Sequence, residues 1–364
     1  MVTKFSNKTI TAIYSVLPAK EVNFMDETGN YAFSEAQMKK LQKVMGFGTR
    51  RVAEEGETVS GYACYGINKM IEDGIIRPEE VGAIIVTTTS PDHFIPPVAN
   101  IIQGQFDFDE DTVCIDISQG CCGYTVGLTY AFMTLEHLPK GKKALLVAGD
   151  LLSYRVSKRD RASRPIVGDA VAISVIENTD YDNDVYCALK NDGKDAFAVY
   201  IPAGGTKMPI NEETTKEFED EFGNWRGHQH LYMHGDLVFN IIINMTPVMI
   251  EELLKYSSQS IDDIDYFICH QSSSFTLKKL SQRLGVTEQR LPRDIVPKYG
   301  NSSSASIPVT MCEHVNDLYA DGKTHRIMFT SFGTGMSLGA VIMDLPKPVA
   351  CKFLDYPHQS SGEN

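Results

Sequence analysis

Residues 113–128 read Val-Cys-Ile-Asp-Ile-Ser-Gln-Gly-Cys-Cys-Gly-Tyr-Thr-Val-Gly-Leu and change from strand to helix character within a few positions. The apolar run breaks at a glycine-flanked turn and then restarts as an apolar helical pattern. Cys121 lies in that turn, where unpaired backbone N–H groups and the positive end of the helix dipole favour a thiolate over a thiol. The stretch therefore predicts a strand–turn–helix unit that carries a candidate nucleophile.

The bulk properties of the chain exclude several classes of protein. It has 364 residues, of which 43% are hydrophobic, and a formal net charge of -13 at pH 7. The acidic balance argues against nucleic-acid binding, because neutralising phosphates requires clustered Lys and Arg. The N-terminus has no apolar signal segment, and we expect no membrane span because no run approaches ~20 apolar residues. We therefore expect a soluble, cytoplasmic protein.

Apolar, β-branched runs alternate with longer helical patterns, which is typical of a layered α/β fold around a largely buried sheet. Two series of strands are predicted, over 9–15, 82–88, 112–117, 144–148 and 170–176, and then over 185–189, 266–269, 326–331 and 340–343. Helices are predicted over 59–73, 123–136, 237–255, 273–284 and 304–318, the third with a break or kink at Pro247. The second series resembles a looser copy of the first, and the polar residues 211–230 form a surface excursion that is either a lid or a partner loop.

Three further points are candidates for chemistry. His270 ends an apolar strand, Asn301 lies in a small-residue turn before a helix, and residues 331–339 form a glycine-rich crossover between two strands. Each has a structural explanation as well: a buried cysteine, a packed histidine, a capping asparagine and a tight glycine connection are all common. The chemical interpretation is favoured because all four features lie at strand ends, where α/β folds place their sites.

Other polar residues are interpreted as structural. His228, His230 and His234 resemble a metal cluster, but no matching Cys or carboxylate pattern accompanies them, so we expect no metal. Asp169 is predicted to fix a turn rather than to act as a catalytic acid. Cys122 follows Cys121 directly, and neighbouring helix positions point about 100° apart, so Cys122 is expected to pack in the core.

These motifs together resemble the thiolase superfamily and, within it, the beta-ketoacyl-acyl carrier protein synthase III family. The resemblance spans about residues 9–344 and includes the Asp-x-x-x-x-Cys-x-Gly-Tyr pattern of 116–124, His270-Gln271, Gly300-Asn301 and the Phe-Gly-Thr-Gly of 332–335. It implies a duplicated five-layered α-β-α-β-α fold. The expected parts are an N-terminal half with the nucleophilic cysteine (1–177), a C-terminal half with the histidine and asparagine (178–345), and a C-terminal tail (346–364).

The resemblance also implies a ping-pong Claisen condensation that needs no cofactor beyond its thioester substrates. Cys121 would take an acyl group, and His270 and Asn301 would bind the carbonyl of a malonyl-carrier donor and stabilise the enolate that decarboxylation releases. The backbone N–H groups of Cys121 and Thr334 would form the oxyanion hole. The implied partners are an acyl carrier protein and a second copy of the chain in a homodimer.

The chain departs from the family pattern at the entrance to the site. The family stretch whose Trp and Arg sandwich the CoA adenine is replaced by residues 38–46, with Lys40 and Val44 at those two positions. The acyl donor is therefore expected to be a carrier protein, or CoA bound in another manner. Phe275 replaces an arginine of the carrier-docking surface. The residues that remain for carrier docking are Lys278, Lys279 and Arg283. The residues expected to shape the acyl pocket are Phe94, Ile95, Met233 and Phe239.

The leading hypothesis is a 3-oxoacyl-(acyl-carrier-protein) synthase III-like enzyme of a specialised lipid, polysaccharide-modification or secondary-metabolite pathway. One alternative is simple acyl transfer to an alcohol or amine, with His270 as general base. The other is an inactive carrier-binding partner of an active paralogue, because a fold alone does not determine function.

Overall fold

The computed structural model describes residues 1–346 and 349–357. Its strands are β1 Val2–Ser6, β2 Lys8–Leu17, β3 Glu21–Asn23, β4 Thr49–Arg51, β5 Val81–Thr87, β6 Val113–Ile117, β7 Lys143–Asp150, β8 Ala170–Asn178, β9 Asp184–Asn191, β10 Val199–Tyr200, β11 Phe218–Glu219, β12 Trp225–Arg226, β13 Tyr232–Met233, β14 Tyr266–Cys269, β15 His325–Gly333, β16 Ser337–Leu345 and β17 Ala350–Asp355. Its α-helices are α1 Glu35–Met45, α2 Val59–Glu72, α3 Val98–Gln103, α4 Gly123–Leu135, α5 Glu212–Thr215, α6 Gly235–Ser257, α7 Ser274–Leu284, α8 Val296–Tyr299 and α9 Ser306–Leu318. The nine predicted strands and five predicted helices are confirmed, whereas α1 was not predicted.

Two large sheets form the framework. The first has six strands in the order β17-β2-β8-β7-β5-β6, and the second has five in the order β1-β9-β16-β15-β14. The series β2-β8-β7-β5 and β9-β16-β15-β14 share one pairing scheme of two antiparallel pairs followed by a parallel pair. The repeat in element order is therefore also a repeat in topology, which confirms the duplicated fold.

Helices cover both sheets and fill the space between them. Helices α2 and α3 pack on the outer face of the first sheet, and α6 and α7 pack on the outer face of the second. Helices α4 and α9 lie between the sheets in a core cluster that contains residues of both. The central strand β5 is buried along its whole length, as a strand covered by helices on both faces must be. The predicted five layers are therefore present.

The terminal strands each join the sheet of the opposite half. β1 pairs antiparallel with β9 in the second sheet, and β17 pairs parallel with β2 in the first. The segment that we expect from sequence to be a C-terminal tail therefore includes a sheet strand, which its short apolar alternation, Ala-Cys-Lys-Phe-Leu-Asp, signals weakly. Residues 347–348 and 358–364 of that tail lie outside the described residues.

Helix α6 differs from its prediction in its continuity. It runs without a break through Pro247. By length and composition it is also the one helix in residues 1–346 and 349–357 that is long and apolar enough to cross a membrane, a test that buried core helices also pass. One face of the helix, including Met249 and Leu253, is buried against the second sheet.

Candidate active site

Cys121 lies in the tight turn between β6 and α4. The N–H of Gly123 donates to the carbonyl of Gly120 at 2.6 Å, so the chain reverses immediately before the helix begins. The crossover between β15 and β16 comes very close to this turn: a Cβ placed on Gly333 would lie 2.3 Å from the Cβ of Cys121. Only glycine permits that approach. It brings Thr334, the second predicted oxyanion-hole residue, next to the cysteine.

His270 follows the last residue of β14 and is 2% exposed. Its Nδ1 lies 2.7 Å from the hydroxyl of Ser306 and 3.2 Å from the carbonyl oxygen of Ser303. Its ring packs edge-on against Phe332, with ring centroids 5.6 Å apart. Burial lowers the pKa of His270 to about 4, and the Ser303 carbonyl opposes that shift. The imidazole is therefore neutral at physiological pH.

Asn301 occupies the turn that precedes α9. Its amide oxygen accepts the N–H of Ser303 at 3.0 Å, which leaves the NH2 group as the donor that this side chain can offer to a ligand. Its backbone N–H donates to the carbonyl of Ile166 at 2.7 Å, and the N–H of Gly168 donates to its carbonyl at 3.0 Å. These two backbone hydrogen bonds join the N-terminal half of the chain to the C-terminal half at Asn301.

The three predicted catalytic side chains meet in one enclosed cavity of about 270 Å³, lined mainly by apolar residues. Cys121 comes from the N-terminal half, whereas His270 and Asn301 come from the C-terminal half. The apolar lining consists of Leu152, Ile166, Val167, Val199, Tyr200, Ile201, Leu231, Met233, Val238, Ile242 and Phe332. The cavity thus joins a reactive end to an apolar end, which is the shape that an acyl thioester requires.

The thiol of Cys121 is protonated in the free protein. Its pKa is raised to about 12, chiefly by burial and also by the nearby Asp150, whereas the hydroxyl of Ser303 lowers it. The surface that Cys121 exposes faces the cavity it lines rather than bulk water, so loss of hydration outweighs the helix terminus. Burial therefore outweighs the backbone N–H groups and the helix dipole that were expected to favour a thiolate.

Asp150 is a buried residue of the site region that the sequence analysis missed. It ends β7 and is fully buried, and its Oδ1 accepts the backbone N–H of Thr89 at 2.6 Å and the hydroxyls of Thr88 and Thr89 at 3.0 and 2.9 Å. Burial raises the pKa of this carboxyl, whereas the nearby hydroxyl of Ser303 lowers it. An aspartate at the end of an apolar strand gives no sequence signal that separates it from a turn residue.

The predicted pocket residues are only partly brought together. Met233 lines the cavity. Phe239 does not border it but stacks on Phe275, because Val238 and Ile242 occupy the i and i+4 positions of the helix face that borders the cavity. Phe94 and Ile95 are each 83% exposed in this single chain, and Phe94 borders a second cavity of about 990 Å³.

The predicted docking residues Lys278, Lys279 and Arg283 are exposed on one face of α7, whose opposite face is buried. The ammonium group of Lys279 lies 5.8 Å from the ring centre of Phe275. Lys40 and Val44 are likewise exposed, on α1.

The residues interpreted as structural have structural contacts. Asp169 accepts the N–H groups of Ala53 and Ser153 at 2.8 and 2.9 Å, which confirms its role in fixing a turn. Cys122 is fully buried against Ser331, as predicted. The nearby histidines also have local contacts: His230 accepts the N–H of Gly227, while the rings of His228 and His234 lie near those of Tyr232 and Tyr200 respectively.

Comparisons with known proteins agree with this geometry. The profile of the family described as 3-oxoacyl-(acyl-carrier-protein) synthase III matches residues 115–193, and the profile of its C-terminal domain matches residues 254–345. A Campylobacter jejuni protein provisionally named 3-oxoacyl-(acyl-carrier-protein) synthase 3 is 29% identical over 350 residues, which cover 94% of this chain and 96% of the relative. The beta-ketoacyl-(acyl-carrier-protein) synthase III of Clostridium beijerinckii is 27% identical. The match covers 93% of this chain and 99% of the relative.

Solved structures show the same fold. The 3-oxoacyl-(acyl-carrier protein) synthase of Burkholderia xenovorans superposes with a TM-score of 0.88 at 23% identity, covering 98% of this chain and 99% of that one. The priming beta-ketosynthase of the R1128 polyketide pathway superposes with a TM-score of 0.79 at 22% identity, with coverages of 94% and 97%.

The five-layered fold and the family matches define an acyl-transferring condensing enzyme with a thiolase-like fold. Both family profiles and the relatives that match along nearly the whole chain agree on one group within that class. The chain belongs to the beta-ketoacyl-acyl carrier protein synthase III family.

Proposed function

We propose that Cys121 accepts the acyl group in a decarboxylative condensation and that His270 and Asn301 hold the thioester carbonyl of a malonyl-carrier donor. The observation that carries this proposal is the meeting of these three side chains in one apolar cavity at the junction of the two halves. A thiol, a neutral imidazole and an amide are the groups that acyl transfer followed by enolate stabilisation requires.

Each group has a separate step in the proposed reaction. Cys121 attacks the acyl thioester, and the N–H groups of Cys121 and Thr334 stabilise the oxyanion of the tetrahedral intermediate. The malonyl thioester then replaces the departed carrier, and its carbonyl oxygen accepts hydrogen bonds from His270 and from the NH2 of Asn301. Loss of carbon dioxide leaves an enolate at that oxygen, and its carbon attacks the acyl-cysteine. Neutral donors suit this step because they stabilise the enolate without holding a salt bridge to the malonyl carboxylate.

The cavity supports a short, apolar acyl group as substrate. Its volume of about 270 Å³ lies just below the ~300–1,000 Å³ range of ligand sites. Its walls at Leu231, Val238 and Ile242 are aliphatic, so a hydrocarbon chain gains the free energy of apolar burial there.

We also propose an acyl carrier protein and a second copy of this chain as partners. The exposed cations of α7 give acidic carrier proteins a docking surface, whereas Lys40 and Val44 provide no aromatic–arginine pair for the CoA adenine. The edge strand β6 leaves Val113 and Ile115 at 43% and 37% exposure, and Phe94 and Ile95 are still more exposed. Unpaired edges and exposed apolar side chains of this kind are covered by a partner in stable dimers.

The altered entrance supports a role in a specialised lipid, polysaccharide-modification or secondary-metabolite pathway rather than in the first step of fatty-acid synthesis. We propose that the enzyme acts in the cytoplasm and needs no metal or organic cofactor. Its chemistry then rests on protein donors and the thioester substrates alone.

The experiment that tests the proposed function is mass measurement of the intact chain after incubation with a panel of acyl-CoA and acyl-carrier donors. We expect one acyl adduct on the wild-type protein and on Cys64→Ala, and none on Cys121→Ala, since Cys64 lies outside the cavity. Absence of an adduct on the wild type with every donor, or an adduct that persists in Cys121→Ala, would contradict the proposal.

A further inference from the structure

The proposed function leaves one proton unassigned. Cys121 has to attack as a thiolate, although its pKa is about 12 in this site. If His270 took the proton, two neutral groups would become an ion pair in a buried cavity, and burial already lowers the pKa of His270 to about 4. Transfer to a buried carboxylate creates no additional charge, because one anion replaces another. A low-dielectric site therefore favours a carboxylate as the acceptor.

Asp150 is the buried carboxylate beside this thiol. Four donors from Thr88, Thr89 and Ser90 occupy its Oδ1. Its Oδ2 is buried and accepts no hydrogen bond of ordinary geometry from the residues that the structure describes. A fully buried carboxylate oxygen without a partner is rare, and it suits an atom that receives a proton.

Ser303 connects the thiol with the carboxylate. Its hydroxyl lies 3.9 Å from the Sγ of Cys121, within the range of a hydrogen bond to sulfur. Strand β7, which Asp150 ends, packs against the turn of residues 303–305. The Ser303 hydroxyl is also near enough to Asp150 to lower the pKa of that carboxyl.

The backbone of Ser303 is strained. Its φ is 52°, in the left-handed region that non-glycine residues rarely adopt. The N–H of Ser303 is held by the amide oxygen of Asn301, and its carbonyl faces Nδ1 of His270. Strain of this kind persists where the surroundings impose it and is concentrated at functional sites. The conformation places the hydroxyl against Cys121, while the backbone contacts the other two catalytic groups.

We propose that Ser303 and Asp150 form a proton relay for Cys121. As the thiol attacks the acyl donor, its proton passes to Oγ of Ser303, and Ser303 passes its own hydroxyl proton to Oδ2 of Asp150. The carrier leaves as a thiolate and takes a proton from solvent. When the enolate later displaces Cys121, the thiolate regains its proton from Asp150 through Ser303, so every proton is accounted for at the end of a cycle.

The relay, which rests on the proposed function, has a consequence for the second substrate. While the acyl group is bound to Cys121, Asp150 is protonated and neutral. The malonyl carboxylate then enters a site without a buried anion beside it. A permanently charged Asp150 would repel that carboxylate in a low-dielectric cavity.

The test measures the rate at which Cys121 is acylated in single turnovers, with the straight-chain acyl-CoA or acyl-carrier donor that modifies the wild type fastest. We expect Asp150→Asn and Ser303→Gly each to slow acylation about 100-fold, as loss of general-base assistance does. Glycine removes the hydroxyl and relieves the strain at φ 52°, so a purely structural role predicts no loss for that variant. Ser174→Ala, which removes a buried hydroxyl bonded to Tyr124 outside the cavity, is the matched control and should acylate at the wild-type rate.

The sign of the Asp150→Asn effect separates the relay from a simple electrostatic effect. If Asp150 only raises the pKa of Cys121, its neutralisation increases the thiolate fraction and speeds acylation. Acylation of Asp150→Asn at or above the wild-type rate would overturn the relay, as would wild-type behaviour of Ser303→Gly. If Asp150→Asn does not fold, Ser303→Gly decides alone. Failure of the wild type to acylate would instead contradict the proposed function, so the two failures are distinguishable.

The solvent deuterium isotope effect on acylation provides an independent readout. A relay moves two protons as the thiol attacks, so the wild type should acylate more slowly in D2O. We expect that effect to fall toward unity in Ser303→Gly and Asp150→Asn, where no relay operates. An isotope effect equal in all three proteins would overturn the relay.

Discussion

At the residue scale, burial keeps the proposed nucleophile Cys121 and the proposed carbonyl donor His270 neutral in the free protein. The thiol of Cys121 has its pKa raised to about 12 and the imidazole of His270 has its pKa lowered to about 4, both chiefly through loss of hydration. Neutral donors such as His270 and Asn301 act most strongly when charge develops on a substrate oxygen, which is where transition-state stabilisation is most effective. The chemistry proposed here therefore depends on burial as much as on residue identity.

The low pKa of His270 predicts a specific dependence of stability on pH. The folded protein holds this imidazole neutral, whereas the unfolded chain protonates it near its ordinary value of 6.5. The stabilisation is present above pH 6.5 and is lost as pH falls toward 4, because the unfolded state then binds more protons; it amounts to about 3 kcal/mol. We expect wild type to lose that much more free energy of unfolding than His270→Gln between pH 7 and pH 4, measured by urea denaturation.

The comparison between wild type and His270→Gln removes the contributions of the buried aspartates, since both proteins contain them. If the curves of unfolding free energy against pH are parallel for wild type and His270→Gln, the pKa of His270 is not lowered in the native state. That result would contradict its assignment as a neutral donor.

At the element scale, the site depends on strand ends and tight connections. The turn after β6 and the crossover between β15 and β16 converge because glycines remove side chains at the points of contact. Gly333 has φ of 166°, which any residue adopts, so its requirement is for space rather than for backbone freedom. Contact between these connections is the condition for an oxyanion hole formed by Cys121 and Thr334.

Gly333→Ala tests that contact. The added methyl group would lie 2.3 Å from the Cβ of Cys121, which forces the crossover and the nucleophile turn apart. We expect Cys121 acylation to slow by about 100-fold, the loss typical of a missing oxyanion donor, in a protein that still folds. Gly193→Ala, at a position with open space around it, is the matched control. Equal acylation rates of the two variants would contradict a role for Thr334 in the oxyanion hole.

The sequence predicts which polar side chains meet in the cavity better than it predicts the cavity walls. Cys121 and His270 stand out because each follows an apolar strand, and Asn301 stands out because it lies in a small-residue turn before a helix. Phe239 was wrongly placed in the pocket because hydrophobicity does not indicate which helix face borders the cavity; Val238 and Ile242 border it instead. Asp150 and Ser303 were missed because their significance arises only from their proximity to Cys121 in three dimensions.

At the scale of the whole molecule, two topologically similar halves share one site and exchange their terminal strands. The element order predicts the duplication, but not that β1 joins the second sheet or that β17 joins the first. Such long-range pairings lack a local sequence signal, because they depend on partners more than a hundred residues away. The exchanged strands tie each end of the chain to the opposite half.

Tyr356 tests the contribution of the C-terminal segment to stability. It follows β17 and is 8% exposed, and its ring stacks on that of Tyr62 with a centroid distance of 4.0 Å. Tyr356→Ala should lower the free energy of unfolding by about 3 kcal/mol, as other buried aromatic truncations do. Tyr181→Ala, at a 45% exposed tyrosine, should change it by less than ~0.5 kcal/mol. Equal urea midpoints for the two variants would show that the segment is not part of the cooperative fold.

The most direct test of the central claim is the stoichiometry of carbon dioxide release when acylated enzyme meets a malonyl-carrier protein. Enzyme carrying one acyl group on Cys121 is isolated and mixed with carboxyl-labelled malonyl-carrier, and labelled carbon dioxide is counted against the acyl groups lost. The account predicts one carbon dioxide per acyl group and a 3-oxoacyl carrier as product. Discharge of the acyl group to water, an alcohol or an amine without release of carbon dioxide would contradict it.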